Sequence, residues 1–90
     1  YSLDQNYPNH FNPITKISFN VAKKSFVNIT VFDISGNEIK VLINSNYNPG
    51  NKSVQWNATN EQGEPVSAGV YFYKIQAGNF VDTKKMVLLK

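Results

Sequence analysis

Of the groups most often used in catalysis or metal binding, this 90-residue chain has one histidine, six carboxylates and no cysteine. His10 lies between Asn9 and Phe11 in a stretch punctuated by Pro8 and Pro13. An exposed loop histidine is expected there. The carboxylates Asp4, Asp33, Glu38, Glu61, Glu64 and Asp82 are scattered along the chain. None forms a recognisable acid/base pair or triad. The absence of cysteine removes thiol nucleophiles, disulfides and zinc–thiolate sites together. The chain is not expected to be an enzyme, and no catalytic, metal or cofactor position is assigned.

The segment from Asn57 to Glu64 is the best candidate for calcium, because amide and backbone carbonyls with an occasional acid suit that ion. It lacks the alternating Asp/Asn register of an EF-hand loop, and Asn and Gly are also what turns demand. Trp56, Tyr71 and Tyr73 could stack on a sugar, but their alternation in step with Val54 and Ile75 favours the core. Gly36, Gly63, Gly69 and Gly78 are isolated turn glycines, with none of the clustering that cradles a phosphate. Three N-x-S/T sequons, at Asn28, Asn51 and Asn57, are what an Asn-rich chain produces by chance.

Apolar residues make up 41% of the chain and charged residues 17%, enough apolar area to offset the entropy of ordering one small domain. Ninety residues are too few for two cores. The net charge of +3 comes from nine lysines with no arginine. Base and phosphate readers favour bidentate arginine, so no nucleic-acid partner is expected. No apolar run approaches the roughly 18–20 residues of a membrane-spanning helix, which predicts a soluble domain. Tyr1 is not an initiator methionine and no leader pattern is visible, so the chain reads as a piece of a longer precursor.

The elements that must position these residues are strands. Alternation has period two almost throughout, with no sustained helical spacing. Thr15–Val21 and Phe26–Asp33 are predicted strands joined through Lys23-Lys24-Ser25. Ser35-Gly36-Asn37 turns the chain into a third strand, Glu38–Ile43, with Gly36 free to take positive φ. The stretch from Asn44 to Asn51 reads as a breaker around Asn48-Pro49-Gly50. Lys52–Asn57 follows, placing Val54 and Trp56 on one face. Val66 and Ser67 add a short bridging pair. The last third is a hairpin, Val70–Ala77 and Phe80–Leu89, on a two-residue Gly78-Asn79 turn. Its row of Tyr71, Tyr73, Ile75 and Ala77 shares one face. Met86 and Leu88 are predicted to point inward. Short strands with turns every 8–12 residues predict an all-β, immunoglobulin-like antiparallel β-sandwich of about seven strands.

At the front, Pro8 and Pro13 fix φ and push Tyr7 and Asn12 into extended conformations. Residues 1–13 are thus expected to form an irregular strap anchored by Tyr7 and Phe11 on a sandwich of residues 14–90. The segment Gln5-Asn6-Tyr7-Pro8-Asn9-His10-Phe11-Asn12-Pro13, the block Gly69-Val70-Tyr71-Phe72-Tyr73-Lys74 and the closing Lys85-Met86-Val87-Leu88-Leu89-Lys90 together carry a resemblance. So do Val31-Phe32-Asp33-Ile34-Ser35-Gly36 with Ile39 and Leu42, Pro49-Gly50 leading to Val54 and Trp56, and Gly63. This set resembles the type A C-terminal sorting domain of type IX secretion cargo proteins, a domain also described as an FlgD-like immunoglobulin fold. His10 departs from it, standing where the family pattern has proline.

The resemblance implies an address label, not a reaction. It makes Tyr7, Pro8, Asn9, Phe11, Asn12, Pro13, Gly36, Gly69, Tyr71 and Tyr73 family-motif positions. It implies a precursor that transits the periplasm and is delivered through an outer-membrane translocon to the cell surface or extracellular space. The partners implied are translocon and shuttle components, a cell-surface sortase whose cysteine does the cleavage chemistry, and a covalently preceding cargo domain; a monomer is expected. Lys85, Met86, Val87, Leu88, Leu89 and Lys90 are the candidate recognition residues, offered as a strand edge for augmentation. The competing readings are a passive immunoglobulin-like spacer or adhesion domain, and a carbohydrate-binding module.

Overall fold

A computed structural model describes residues 1–89, so Lys90, one of the candidate recognition residues, lies outside the described residues. Eight strands follow in order: β1 (Ser2–Leu3), β2 (His10–Phe11), β3 (Thr15–Val21), β4 (Ser25–Asp33), β5 (Glu38–Tyr47), β6 (Gly50–Trp56), β7 (Gly69–Ala77) and β8 (Phe80–Leu88). There is no helix among the described residues, and hence none long and apolar enough to cross a membrane. The strands form a three-stranded sheet, β1-β3-β6, facing a five-stranded sheet, β2-β8-β7-β4-β5. The all-β sandwich expected from alternation is therefore the fold.

Period two explains the interior. Ile17, Phe19 and Val21 from β3 are buried against Val27, Ile29 and Val31 from β4 and Tyr71, Tyr73, Ile75 and Ala77 from β7. Met86 and Leu88 complete the layer from β8. The hairpin register runs from Ala77 opposite Phe80 to Gly69 opposite Leu88. Gly78 takes φ 59° at the first position of its turn, a conformation that costs glycine little. At the β4–β5 turn Gly36 has φ 88°. Around it Asp33 Oδ1 accepts the backbone N–H of Ser35 and Asn37 at 2.9 Å each. These donors, that of Asn37 foremost, hold the Asp33 carboxyl below its ordinary range.

Three local expectations change. The third strand does not stop at Ile43 but runs to Tyr47, so the breaker shrinks to the residues around Asn48-Pro49. Asn is depleted in strands, yet Asn44 lies opposite Asn28 on the solvent face and accepts its side-chain amide at 3.2 Å. Tyr47 is held by an edge-on contact with Phe19 at 5.7 Å. Tertiary pairing overrides the local preference. The Val66–Ser67 pair is displaced: the bridge joins Thr59 and Pro65, and the Val66 N–H donates to the Ala58 carbonyl. Pairing is antiparallel except between β2 and β8, which run parallel.

Residues 1–13 lie along the open side of both sheets. β1 adds to the small sheet beside β3, and β2 adds to the large sheet beside β8. Between these two strands the chain crosses from one sheet to the other, and the crossing is fixed by one phenol. The Tyr73 hydroxyl accepts the Asn6 backbone N–H and donates to the Asp4 carbonyl, both at 2.7 Å. Burial pushes the Tyr73 hydroxyl up to about 12, with the Asp4 and Asp82 carboxylates adding to the rise and the Asn6 N–H opposing it.

Tyr73→Phe leaves a buried N–H and a carbonyl without partners, and is expected to cost about 1–3 kcal/mol. Because the folded value lies above the unfolded 10.0, this group's stabilisation is full below pH 10 and declines as pH rises toward about 12. Denaturant melts of both proteins between pH 8 and about 12 check this. The gap between them should narrow across the upper part of that window, and parallel curves would count against the role assigned to the hydroxyl.

Candidate functional site

The terminal strand and the strap that clasps it form the site that the sequence singled out. In β8 the inner row is Phe80, Asp82, Lys84, Met86 and Leu88, paired across from Ala77, Ile75, Tyr73, Tyr71 and Gly69. The outer row is Val81, Thr83, Lys85 and Val87. Met86 and Leu88 are fully buried, whereas Leu89 is about half exposed. Lys85 is also exposed. Of the candidate recognition residues described, Lys85 and Leu89 therefore offer most surface, while Met86 and Leu88 hold the strand down.

The clasp is a two-residue parallel pairing. His10 lies opposite Val87 and Phe11 opposite Leu88. The Val87 N–H donates to the Asn9 carbonyl at 3.3 Å, and the Leu89 N–H donates to the Phe11 carbonyl at 2.8 Å. Phe11 seals it from below, 1% exposed, with its ring 5.8 Å from that of Trp56. Trp56 in turn meets Tyr71 edge-on at 5.3 Å. Tilted and edge-to-face contacts suit aromatic quadrupoles. The Trp56 indole N–H donates to the Thr59 carbonyl at 2.9 Å, and the Tyr71 hydroxyl donates to Ser67 at 2.7 Å. Since Trp56, Tyr71 and Tyr73 are all buried, they present no stacking platform to a sugar.

Tyr7 corrects an expectation. Its ring is 78% exposed, so it anchors nothing. Its backbone explains why: Tyr7 and Lys16 form an antiparallel bridge with two 2.9 Å bonds, and alternation then turns Tyr7 out and its neighbour Asn6 in. Asn6 is the anchor. It is 2% exposed, and its side-chain amide donates to the Pro8 carbonyl at 2.9 Å, the Asn9 carbonyl at 3.4 Å and Thr15 Oγ1 at 2.9 Å. Thr15 Oγ1 donates to the same Pro8 carbonyl at 2.8 Å. A signal for Asn6 was legible. Two prolines strip donors from the segment, so a buried side chain with an NH₂ group is needed to satisfy its carbonyls.

The other motif positions have structural work. Asn12 and Pro13 are exposed at the bend into β3, and the Tyr7-Pro8 and Asn12-Pro13 bonds are cis. Gly69 opens β7 with φ 145°, which a side chain rarely adopts. His10 is exposed on its short strand. In the segment proposed for calcium, Asn60 Oδ1 accepts the N–H groups of Gln62 and Glu64 at 3.0 Å each, and Asn57 Oδ1 accepts Thr59 Oγ1–H. Those oxygens shape the turn. Among the described residues no three His, Asp or Glu side chains converge as metal ligands.

The motif segments therefore meet at one place, strap on terminal strand. The family described as the secretion system C-terminal sorting domain matches residues 5–89, a span that includes the whole clasp. The chain belongs to that family. A domain of this family is the signal for type IX secretion, which sends the protein bearing it to the cell surface or extracellular space. The family is a non-catalytic signal.

No curated protein matches the sequence. Among solved structures the sorting domain is similar to part of PorU from Porphyromonas gingivalis, with TM-score 0.74 and 14% identity over 93% of this chain and 9% of that one. It is similar to part of PorZ, a surface component of the type-IX secretion system of the same bacterium, with TM-score 0.68 and 17% identity over 94% of this chain and 11% of that one. It is similar to FlgD from Xanthomonas campestris, with TM-score 0.67 and 20% identity over 94% of this chain and 64% of that one. The sorting domain spans about a tenth of the length of PorU and PorZ. At these identities the likeness is one of fold.

Truncating the seal should be costly and truncating the exposed ring should not. Phe11→Ala and Trp56→Ala are each expected to lose about 3–5 kcal/mol, as large buried aromatics do. Tyr7→Ala should stay within about 0.5 kcal/mol. Chemical denaturation checks the three. Hydrogen exchange should also show the Val87 and Leu89 amides losing protection in Phe11→Ala, and equal losses at Tyr7 and Phe11 would return Tyr7 to the role of anchor.

Proposed function

We propose that this domain is the address by which a larger cargo, joined ahead of it, passes the outer-membrane translocon after transit through the periplasm. Residues 1–13 act as the strap and residues 14–90 as the body. The partners are translocon and shuttle components and a cell-surface sortase that removes the domain, which works as a monomer and contributes no catalytic group. The observation that carries this reading is the family match over residues 5–89. That span takes in both halves of the clasp. The burial of Met86 and Leu88 supports a division of labour in the terminal block. Those two residues hold β8 in place, and the exposed side chains of Lys85 and Leu89 are the surface offered to the partner.

A spacer domain would not care about those surface residues. Fused to a fluorescent reporter in a type IX-competent bacterium, the whole domain should bring the reporter to the cell surface or medium. Deleting Met86 to Lys90 also removes core residues, so retention of that variant is ambiguous by itself. Lys85→Ala with Lys90→Ala leaves the apolar rows intact. It should retain reporter in the periplasm while shifting the melting temperature by less than about 2 °C, the scale of a surface change. Undiminished export of the double variant would place the address in residues other than those two lysines, whereas failure of the whole domain to deliver the reporter would leave the spacer reading.

A further inference from the structure

The strap bonds the backbone of β8 over its last residues only, while at the start of the strand Tyr1 stacks on the Phe80 ring. Val87 and Leu89 send their N–H groups to β2, and the Lys85 carbonyl receives the Gln5 side-chain amide at 2.7 Å. Odd-numbered residues of β8 therefore turn their backbone groups to the outer edge, and even-numbered ones turn theirs to β7. At Val81, at Thr83 and at the Lys85 N–H that outer edge is bonded to no strand, because β2 pairs only at Val87 and Leu88 and β1 pairs with β3. The Thr83 N–H is met only by the carboxylate of its neighbour Asp82, at 2.9 Å. Bare edges of this kind are templates for another strand.

Charge distinguishes this edge from the others. Asp82 and Lys84 sit two apart on the inner row and contact each other at 3.9 Å. Opposite charges at that spacing fix the register of an incoming strand, which must place a cation across from Asp82 and a carboxylate across from Lys84. The edge of β5 is blunted. Its pairing with β4 carries two register shifts, and the Val41 N–H is taken by the Glu61 carboxylate at 3.0 Å. The edge of β6 has Lys52 as its one charge.

Resting on the sorting reading above, we propose that the export machinery reads the open half of β8, Val81 to Lys85, by adding a strand of its own to that edge. The added strand bonds the outward backbone groups of Val81 and Thr83 and the Lys85 N–H, the Lys85 carbonyl being held by Gln5, and carries the charges complementary to Asp82 and Lys84. Val87 and Leu88 are already paired on both sides, and with the buried Met86 their part is to hold the open half in place. Asp82 releases the Thr83 N–H when the incoming strand arrives, and turns to the new cation.

The test removes an outward donor without touching the β7 ladder. The Thr83 N–H points away from β7, and proline is tolerated on an edge where that group faces solvent. Thr83→Pro in the reporter fusion should keep the β-sheet circular dichroism and lower surface delivery by about tenfold or more. The second variant, Asp82→Lys with Lys84→Asp, preserves the internal ion pair and inverts the register code. It should fold with an unchanged melting temperature and export equally poorly. If Thr83→Pro does not fold, the charge-swapped variant decides alone. Full export by a folded Thr83→Pro or by the charge-swapped protein overturns the proposal. Failure of the unaltered domain to deliver the reporter would instead overturn the sorting reading on which it rests.

Discussion

The Tyr73 hydroxyl is the constraint on which the arrangement of this domain depends. A phenol buried in the middle of the large sheet must use both its donor and its acceptor capacity, because an unpaired polar group there is costly. It does so on Asp4 and Asn6, two backbone positions of the strap. That pair of bonds fixes where the strap crosses from the small sheet to the large one. The crossing point then sets which residues can reach the terminal strand: Gln5 at Lys85, Asn9 at Val87, Phe11 at Leu89. A shift of one residue would exchange Asn6 and Tyr7 between core and solvent.

Around that point the domain satisfies its polar groups from within. Asn6 and Thr15 are buried polar residues whose side chains share the Pro8 carbonyl. No buried side-chain nitrogen or oxygen among the described residues lacks a partner. A segment with two prolines has fewer backbone donors to give, so the carbonyls around it are met by side-chain donors instead. The aromatic seal works beside this network. Phe11, Trp56 and Tyr71 pack ring on ring beneath the clasp, while Tyr1 stacks on Phe80 at 5.7 Å and its hydroxyl meets Ser25. Tyr1 is thereby tied to the start of β8 and the start of β4.

The consequence for a sorting domain is a terminal strand of two unlike halves. Where the strap covers it, backbone groups are spoken for and Met86 and Leu88 fill the core. Where the strap bonds none of its backbone, the strand keeps an open edge guarded by its own Asp82 and by mixed charge. Such guarding by charge keeps sheets from joining indiscriminately. It leaves the edge open to a strand whose charges answer it.

Much of this was legible in residue order. Strict alternation in Thr15–Val21, Phe26–Asp33 and Val70–Ala77 requires half-buried strands, and Gly78-Asn79 between two such runs requires a hairpin, so the sandwich, its inner rows and the burial of Trp56 follow from local physics. The motif at the two ends identified the family because residue types at fixed spacing survive without coordinates. What alternation could not reach was pairing between distant segments. Whether Asn44 to Tyr47 continues a strand depends on Asn28 and Phe19 waiting opposite, and only the fold brings those together. In sequence Tyr7 reads as the anchor beside Phe11; the bridge to Lys16 and the hydroxyl of Tyr73 put Asn6 in its place. The division of β8 into a paired and an open half belongs wholly to tertiary structure, since it is set by where a strap some eighty residues away in sequence bonds its backbone.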